Sequence, residues 1–385
     1  MVRIAMVAGE ASGDLLAAHL IEALKKHLPD ARFFGIGGPK MEAAGLDAWW
    51  PAEKLAVRGY AEVLRHYREI TGIRRRLLSR LLEEKPDVFI GVDAPDFNLW
   101  LEERLKGRGI PAIHYVSPSI WAWRGGRIHG IGRAVSHMLA LFPFEAPIYE
   151  KHRIPVSYVG HPLADVIPLD PGRQSARERL GLADDALAFA LLPGSRQSEL
   201  KYMAEPFIET ARRLHERFPQ AVFLVPLVSR ETRMRFEEAL WKLEAPNFPD
   251  KLPIKLLFGH AQDALAACDA ALVASGTATL EAALLKAPMV VAYRMSPWTW
   301  RIMKRMRYQP WVGLPNILAS RFVVPEFLQE DATADNLAKA LGDLALDAGA
   351  RKKMVEAFDV IHRVLRQGTS ERAAAAILPY LKTTP

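Results

Sequence analysis

Short apolar, β-branched runs alternate with amphipathic stretches along most of the chain, which predicts strands separated by helices. In the first half the strands fall at 4–8, 32–36, 88–92, 112–116 and 138–142. Between the first two, Leu15, Leu16, Leu20, Ile21 and Leu24 recur at helical spacing. Strand–helix alternation of this kind implies a parallel sheet covered on both faces. The stretch 160–174, GHPLADVIPLDPGRQ, breaks the rhythm with Pro, Gly and Asp and reads as a linker. The pattern then restarts, with strands at 188–192, 221–226, 254–258, 270–273 and 289–293 and a helix at 206–217. From about 334 to 381 the spacing is helical. The expectation is two doubly wound, Rossmann-like α/β domains facing a cleft, 1–165 and 166–345. Helices in 346–385 then pack back on the first domain or on a partner subunit.

A length of 385 residues supports two cores. Apolar residues make up 50% and charged residues 25%, ordinary for a folded, water-soluble chain. The one cysteine, Cys268, excludes an intrachain disulfide and a cysteine-built metal site, and suits a reducing cytoplasm. The opening MVRIAMVAGEASGD reads as a first strand, since its apolar run is too short for a signal peptide. No apolar run approaches the roughly 18–20 residues that span a bilayer. A net charge of +7 favours anionic partners: nucleic acid, an anionic membrane or a phosphorylated substrate.

In open parallel sheets, ligands gather at the carboxyl ends of strands. Four loops there carry informative chemistry. Gly9-Glu10-Ala11-Ser12-Gly13-Asp14 follows the first strand but lacks G-x-G-x-x-G spacing. Its carboxylates suit sugar hydroxyls better than phosphate, although Ser12 or Asp14 can equally cap the next helix. The cluster Gly35-Ile36-Gly37-Gly38-Pro39 reads as a structural turn. In LLPGSRQSEL, Gly194 permits close backbone approach, Ser195 can cap a helix and Arg196 brings a fixed positive charge, a combination suited to a diphosphate. In ASGTATLEAAL, Ser275, Gly276 and Thr277 open a helix. Glu281 lies too far along it for a capping box and is available to ribose hydroxyls. The phosphate-friendly loops lie in the second half and the carboxylate-bearing ones in the first. This division suggests nucleotide binding by the second domain and a hydroxyl-bearing acceptor in the first.

Transfer onto a hydroxyl needs a base. The strand at 88–92 runs into Asp93-Ala94-Pro95-Asp96-Phe97-Asn98, which makes Asp93 the first candidate, with Asp96 and Glu10 behind it. An Asp before Pro also organises turns. Metal-binding patterns are missing: there is no H-E-x-x-H, no Cys cluster and no D-x-D. Charge on a departing diphosphate would then fall to Arg196 and helix N-termini. His114, His161 and His260 read as structural or hydrogen-bonding residues.

Taken in order, VAGEASGD (7–14), GVDAPDFN (91–98), HYVSPSIWAWR (114–124), LLPGSRQSE (191–199), ASGTATLE (274–281) and LPNILA (314–319) resemble the lipid-A-disaccharide synthases, inverting glycosyltransferases of the two-domain B-type fold. The resemblance covers nearly the whole chain. It implies a donor similar to UDP-2,3-diacylglucosamine and a 2,3-diacylglucosamine 1-phosphate acceptor, joined to a β-1′,6-linked disaccharide with release of UDP and no cofactor. It also implies Asp93 as base, Glu10 placing the acceptor, and Ser12, Asp14, Asp96 and Asn98 as acceptor-side candidates. Arg196, Glu281 and Asn316 match positions associated with UDP, and Asn316 carries no local signal of its own. Ala11 replaces a Thr common in the family. The family tends toward homodimers.

Acylated substrates require contact with the cytoplasmic face of the anionic inner membrane. In 63–82, Val63, Tyr67, Ile70, Ile73, Leu77 and Leu81 recur at helical spacing amid Arg65, Arg68, Arg74, Arg75, Arg76 and Arg80. This fits an interfacial helix, or equally a helix packed on its own sheet with a solvated basic face. The stretch 297–311 mixes Trp298, Trp300 and Trp311 with Arg301, Lys304, Arg305 and Arg307. No RNA-binding signature accompanies it, so lipid is favoured over nucleic acid. The rivals are another UDP-sugar enzyme of this fold (an epimerase or a peptidoglycan-precursor transferase), a nicotinamide oxidoreductase, and a non-catalytic surface binder.

Overall fold

The computed structural model describes residues 1–52, 55, 60–122, 125–244, 251–274, 276–306 and 310–381. The chain divides into two compact units: Met1–Asp165 with Leu365–Pro385, and Val166–Val364.

Unit 1 begins β1 (Arg3–Ala8), α1 (Ala11–His27), β2 (Arg32–Gly37), α2 (Pro39–Ala43), β3 (Leu46–Pro51) and α3 (Tyr60–Glu84). It continues β4 (Val88–Val92), α4 (Pro95–Lys106), β5 (Ala112–Tyr115), α5 (Ile128–Ala134), β6 (His137–Ala140), α6 (Ala146–Glu150), β7 (Val156–Tyr158) and α7 (Pro162–Val166). The seven strands lie in the order β3-β2-β1-β4-β5-β6-β7, every pairing parallel. Side chains alternate across the sheet. Ile4, Met6 and Ala8 of β1 join Leu16, Leu20 and Leu24 of α1 on one face. Ala5 and Val7 meet Ile73, Leu77 and Leu81 of α3 and Leu101 and Leu105 of α4 on the other. Burial on both faces is why these strands read as unbroken apolar runs.

Unit 2 contains α8 (Arg173–Arg179), β8 (Ala188–Leu192), α9 (Gln197–Arg217), β9 (Val222–Leu227), α10 (Arg230–Glu244), β10 (Ile254–Phe258), α11 (Ala261–Ala267) and β11 (Ala270–Ala274). There follow α12 (Thr277–Leu284), β12 (Met289–Tyr293), α13 (Pro297–Met306), α14 (Leu314–Ala319), β13 (Glu326–Leu328), α15 (Ala334–Leu346) and α16 (Ala348–Leu365). Its strands run β10-β9-β8-β11-β12-β13, again all parallel. The Met289 amide donates to Met354 Sδ of α16, which thus packs within unit 2. The chain then returns to unit 1, where Ala373, Ala374 and Ile377 of α17 (Thr369–Ile377) join the α1 core.

Three strands escape the hydrophobic pattern. β7 and β13 are three-residue, half-buried strands at sheet edges, too short for any period. β3, LDAWWP, is a half-buried edge strand of the other flank. The helix expected from Pro206 begins nine residues earlier, at Gln197. Leu200, Met203, Ala204 and Phe207 keep one buried stripe running through the proline, so packing outweighs the single hydrogen bond Pro206 cannot make. The linker region is partly helical, in α7 and α8.

On α3 the described side chains begin at Arg68; Val63, Arg65 and Tyr67 lie outside them. Ile73, Leu77 and Leu81 are buried against their own sheet, which leaves that part of the stripe closed to lipid. Arg75, Arg76 and Arg80 are exposed, and Arg80 lies over the Trp49 ring at 3.8 Å. Trp298 on α13 is exposed, with Arg301 5.5 Å from its ring; the side chains of Lys304, Arg305 and Arg307 are outside those described. No helix among the described residues is long and apolar enough to cross a membrane.

Candidate functional site

In each sheet the strand order reverses once, between β1 and β4 in unit 1 and between β8 and β11 in unit 2. Such switch points leave a crevice beyond the strand ends. The candidate residues cluster at these two places.

In unit 1, β1 ends at the Gly9–Asp14 loop and β4 ends at Asp93. The two loops touch: a Cβ on Gly9 would lie 3.1 Å from Ala94 Cβ, and one on Gly13 3.7 Å from Asp93 Cβ. Glu10 is the exposed N-cap residue of α1 and its side chain makes no capping bond; Ser12 beside it is also exposed. Asp93 is half-buried, and it and Ala94 both adopt left-handed backbone, with φ of 54° and 43°. Consecutive non-glycine residues in that region are costly and persist only when their surroundings impose them. Asn98 supplies part of that constraint, donating from Nδ2 to Asp93 O at 2.8 Å, while the Asp93 amide donates to Tyr115 O at 2.8 Å.

Two acceptor-side candidates differ from expectation. Asp14 is buried, and its carboxylate accepts from the amides of Gly38 (2.9 Å), Lys40 (3.1 Å) and Met41 (3.0 Å). It therefore ties α1 to the start of α2 and accounts for Gly38, where a Cβ would lie 2.7 Å from the Asp14 carboxyl. Asn98 is fully buried and organises the loop from beneath. Asp96 is exposed, with Oδ1 2.7 Å from Arg127 Nη2.

Under this loop lies a buried pair, Glu102 Oε1 and His114 Nδ1, 2.7 Å apart and both fully buried, in which Glu102 carries no local sequence signal. Desolvation raises the Glu102 carboxyl above its usual range, and His114 opposes that shift. The next loop, after β5, begins at Val116 with φ 84°, rare for a β-branched residue. Ser117 Oγ there lies 2.7 Å from Tyr149 OH, and Glu145 accepts from the amides of Leu141 and Phe142. The histidine expectations hold for His114 and for His161, which stacks on Phe142; exposed His260 bonds Asp263 at 3.0 Å.

In unit 2 the turn after β8 places Gly194 at φ 126°, and a Cβ there would lie 2.6 Å from Glu199 Cβ. Arg196, not Ser195, is the N-cap residue of α9. Glu199 reaches back so that Oε2 accepts from the amides of Ser195 (2.8 Å) and Arg196 (3.2 Å). The helix N-terminus expected to bind an anion thus already holds one from its own first turn. The Arg196 side chain is 77% exposed, with Nη1 3.7 Å from Glu199 Oε1.

Ser275 lies outside the described residues. Gly276 adopts φ 119° ahead of exposed Thr277. Glu281 is half-buried and accepts from Gln262 Nε2 at 3.0 Å. Thr279 Oγ1 donates to Gly276 O (2.8 Å) and accepts from the Leu314 amide (3.1 Å), stitching α12 to α14. Asn316 is fully buried. Its Oδ1 accepts from the Val323 and Val324 amides, and its Nδ2 donates to Val324 O and Glu326 Oε1. It is a loop-holding residue here, and Glu326 works with it by accepting from the Val312 and Gly313 amides at 2.9 Å. Glu199 is the third residue after the observed cap, Arg196, a spacing that the expected cap at Ser195 had hidden; Glu326 has no local signal.

Among the described residues, no group of three or more His, Cys, Asp or Glu side chains is placed to hold a metal.

Two parallel-sheet Rossmann-like units with their polar loops at the switch points define the B-type glycosyltransferase fold. Solved structures share this fold: a UDP-GlcNAc 2-epimerase from Neisseria meningitidis (TM-score 0.67, 13% identity, 98% of this chain and 100% of that one) and the calicheamicin glycosyltransferase CalG4 (0.59, 15%, all of both). A family profile described as lipid-A-disaccharide synthetase matches residues 4–378. The chain is 63% identical over 383 residues to the lipid-A-disaccharide synthase of Aromatoleum aromaticum, covering 100% of this chain and 97% of that protein. It is 62% identical over 381 residues to that of Dechloromonas aromatica, covering 99% of each. The chain belongs to the lipid-A-disaccharide synthase family.

Proposed function

We propose that the protein joins UDP-2,3-diacylglucosamine to 2,3-diacylglucosamine 1-phosphate, giving the β-1′,6-linked disaccharide 1-phosphate and UDP. Asp93 takes the proton from the acceptor's 6-hydroxyl as that oxygen attacks C1 of the donor sugar. The C1–O bond to UDP breaks on the opposite face, so a single displacement inverts the anomeric centre. The observation that carries this reading is Asp93 itself, a half-buried carboxylate at a sheet switch point, on a left-handed turn held by Asn98. Exposed Glu10 and Ser12 on the adjoining loop, and Asp96 on α4, are the acceptor-side groups.

Unit 2 takes UDP. The Arg196 guanidinium meets the diphosphate, the Gly194–Arg196 and Gly276–Thr277 turns approach it closely, and Glu281 accepts from ribose hydroxyls. Displacing the carboxylate of Glu281 from Gln262 frees it for that task. Asn316 and Glu199 keep these loops in shape. The reaction needs no metal, because a fixed guanidinium offsets the developing charge. The enzyme works as a homodimer on the cytoplasmic face of the inner membrane. Arg75, Arg76 and Arg80 of α3 supply a basic face toward anionic lipid.

The test is a product assay by mass spectrometry with both diacylated substrates and excess chelator. A tetraacylated disaccharide phosphate is expected. Product that appears only after a divalent ion is restored overturns metal independence, and no product under either condition overturns the reaction.

A further inference from the structure

The loop that carries Asp93 is strained, and Asn98 alone does not explain its persistence. Asn98 and Glu102 stand four residues apart on α4, hence on one face, and both are fully buried. That face lies on β4 and β5. A Cβ on Gly91 would lie 2.2 Å from Glu102 Oε1 and 2.8 Å from Asn98 Cβ, so only glycine lets α4 seat this closely. In the sheet, Gly91 is the register partner of His114, and His114 Nδ1 is the atom that Glu102 meets at 2.7 Å. One turn toward the strand ends, Asn98 Nδ2 reaches Asp93 O at 2.8 Å and the carbonyls of Val92 and Val7 at 3.4 Å. The helix is thus pinned to the sheet by two stacked polar contacts, and the upper one holds the strained turn.

A buried ionisable pair is poor evidence for stability, because desolvation offsets most of the attraction its members can gain. Among the described residues, Glu102 Oε2, His114 Nε2 and Asn98 Oδ1 also have no hydrogen-bonding partner, a further cost that an apolar contact would avoid. What an apolar contact lacks is direction. A 2.7 Å hydrogen bond between a helix and a central strand fixes the rotation and the rise of α4. Those two quantities set where Asn98, and with it Asp93, sits.

We propose that Glu102 and His114 form a positioning pair that holds Asp93 in register for proton transfer, acting through α4 and Asn98. The proposal rests on Asp93 being the base. Neither residue touches substrate, and neither contributes to UDP binding.

The experiment compares steady-state kinetics, equilibrium UDP binding and thermal melting for the wild type, Asp93→Asn, Glu102→Ala, Glu102→Gln and His114→Gln. Glu102→Ala is expected to lower kcat about 10–100-fold at temperatures where it remains folded, since a shift of about 1 Å has that effect. Its donor KM and UDP affinity should stay within about twofold of wild type, because displacement of the base leaves the donor site intact. Glu102→Gln keeps both an oxygen that can accept and an N–H that can donate toward His114 Nδ1, and should restore kcat to within about threefold. A purely structural role predicts lowered melting temperatures with unchanged kcat per folded molecule, and that result overturns the proposal. Should Glu102→Ala fail to fold, His114→Gln decides the same question by the same criterion. Near-normal turnover in Asp93→Asn overturns the base assignment and the pair's role with it. An inactive Asp93→Asn alongside fully active Glu102→Ala overturns the pair alone.

Discussion

The two units share one way of fixing a loop and differ in what they leave exposed at their switch points. In unit 2, Glu199 accepts from the Ser195 and Arg196 amides and Glu326 from those of Val312 and Gly313. In unit 1, Asp14 accepts from Gly38, Lys40 and Met41, and Glu145 from Leu141 and Phe142. Each carboxyl group fills a cradle of backbone N–H groups that would otherwise invite an outside anion. With its cradles occupied from within, unit 2 meets solvent with a guanidinium, and unit 1 meets it with carboxylates on a strained turn. A cation at one switch point and an acid at the other is the division that group transfer from a nucleotide donor requires.

The sharpest way to break this comparison is Asp93→Asn, which keeps shape and removes basicity. Turnover should fall on the order of 10²–10⁴-fold, with UDP affinity unchanged by calorimetry. A matched loss of UDP affinity would mean that the two units do not divide the work. Arg196→Ala is the complement. Losing one charged hydrogen-bonding partner should weaken UDP binding about 10–100-fold, and unchanged affinity would remove Arg196 from the diphosphate site.

How far the sequence reaches can be seen in the same residues. Strands buried on both faces, such as β4 and β8, were legible because every position is apolar, whereas edge strands β7 and β13 offer three half-buried residues and no period. Asp93 was legible because a carboxylate directly after an apolar strand is conspicuous. The roles of Asp14 and Asn316 were not. Each is satisfied by backbone groups brought to it by the fold, and in a sequence a loop-holding Asp looks the same as a ligand-binding one. Glu102 was hidden for a related reason: its partner His114 lies on a separate element, β5, and a lone Glu on a helix ordinarily faces water.

A smaller effect is expected from Gly194→Ala. The residue sits at φ 126°, and the added Cβ would meet the Glu199 side chain at 2.6 Å, so strain and a displaced Glu199 add together. Urea denaturation should show a loss of about 1–3 kcal/mol. Gly276→Ala is the control, since Gly276 has φ 119° but no described residue within 4 Å of the added atom. It should lose less. Equal losses would show that backbone strain alone matters and that Glu199 yields freely.

The smallest effect separates the units by pH. Burial pushes Glu145 up to about 8, against the Phe142 amide, Ser117, the Leu141 amide and Trp121, which pull it back. Burial pushes His161 down to about 4, with Asp165 opposing. Between 4.5, the ordinary carboxyl value, and about 8, the folded chain keeps the Glu145 proton that the unfolded chain has released, so stability falls as pH rises. His161 has the opposite sign: between 6.5 and about 4 the unfolded chain binds a proton that the folded chain refuses, so stability falls as pH drops. The two oppose each other below about 6.5, and above it Glu145 acts alone. From pH 6.5 to 8 the unfolding free energy should therefore decline, by at most about 2 kcal/mol. Glu145→Gln keeps an oxygen for the Leu141 and Phe142 amides and has no proton to lose, so its stability should be flat over that window. A decline of the same slope in the variant would place the titrating group elsewhere. It would also leave Glu145 as a cradle-filling carboxylate of the same kind as Glu199, ionised throughout, and erase this difference between the units.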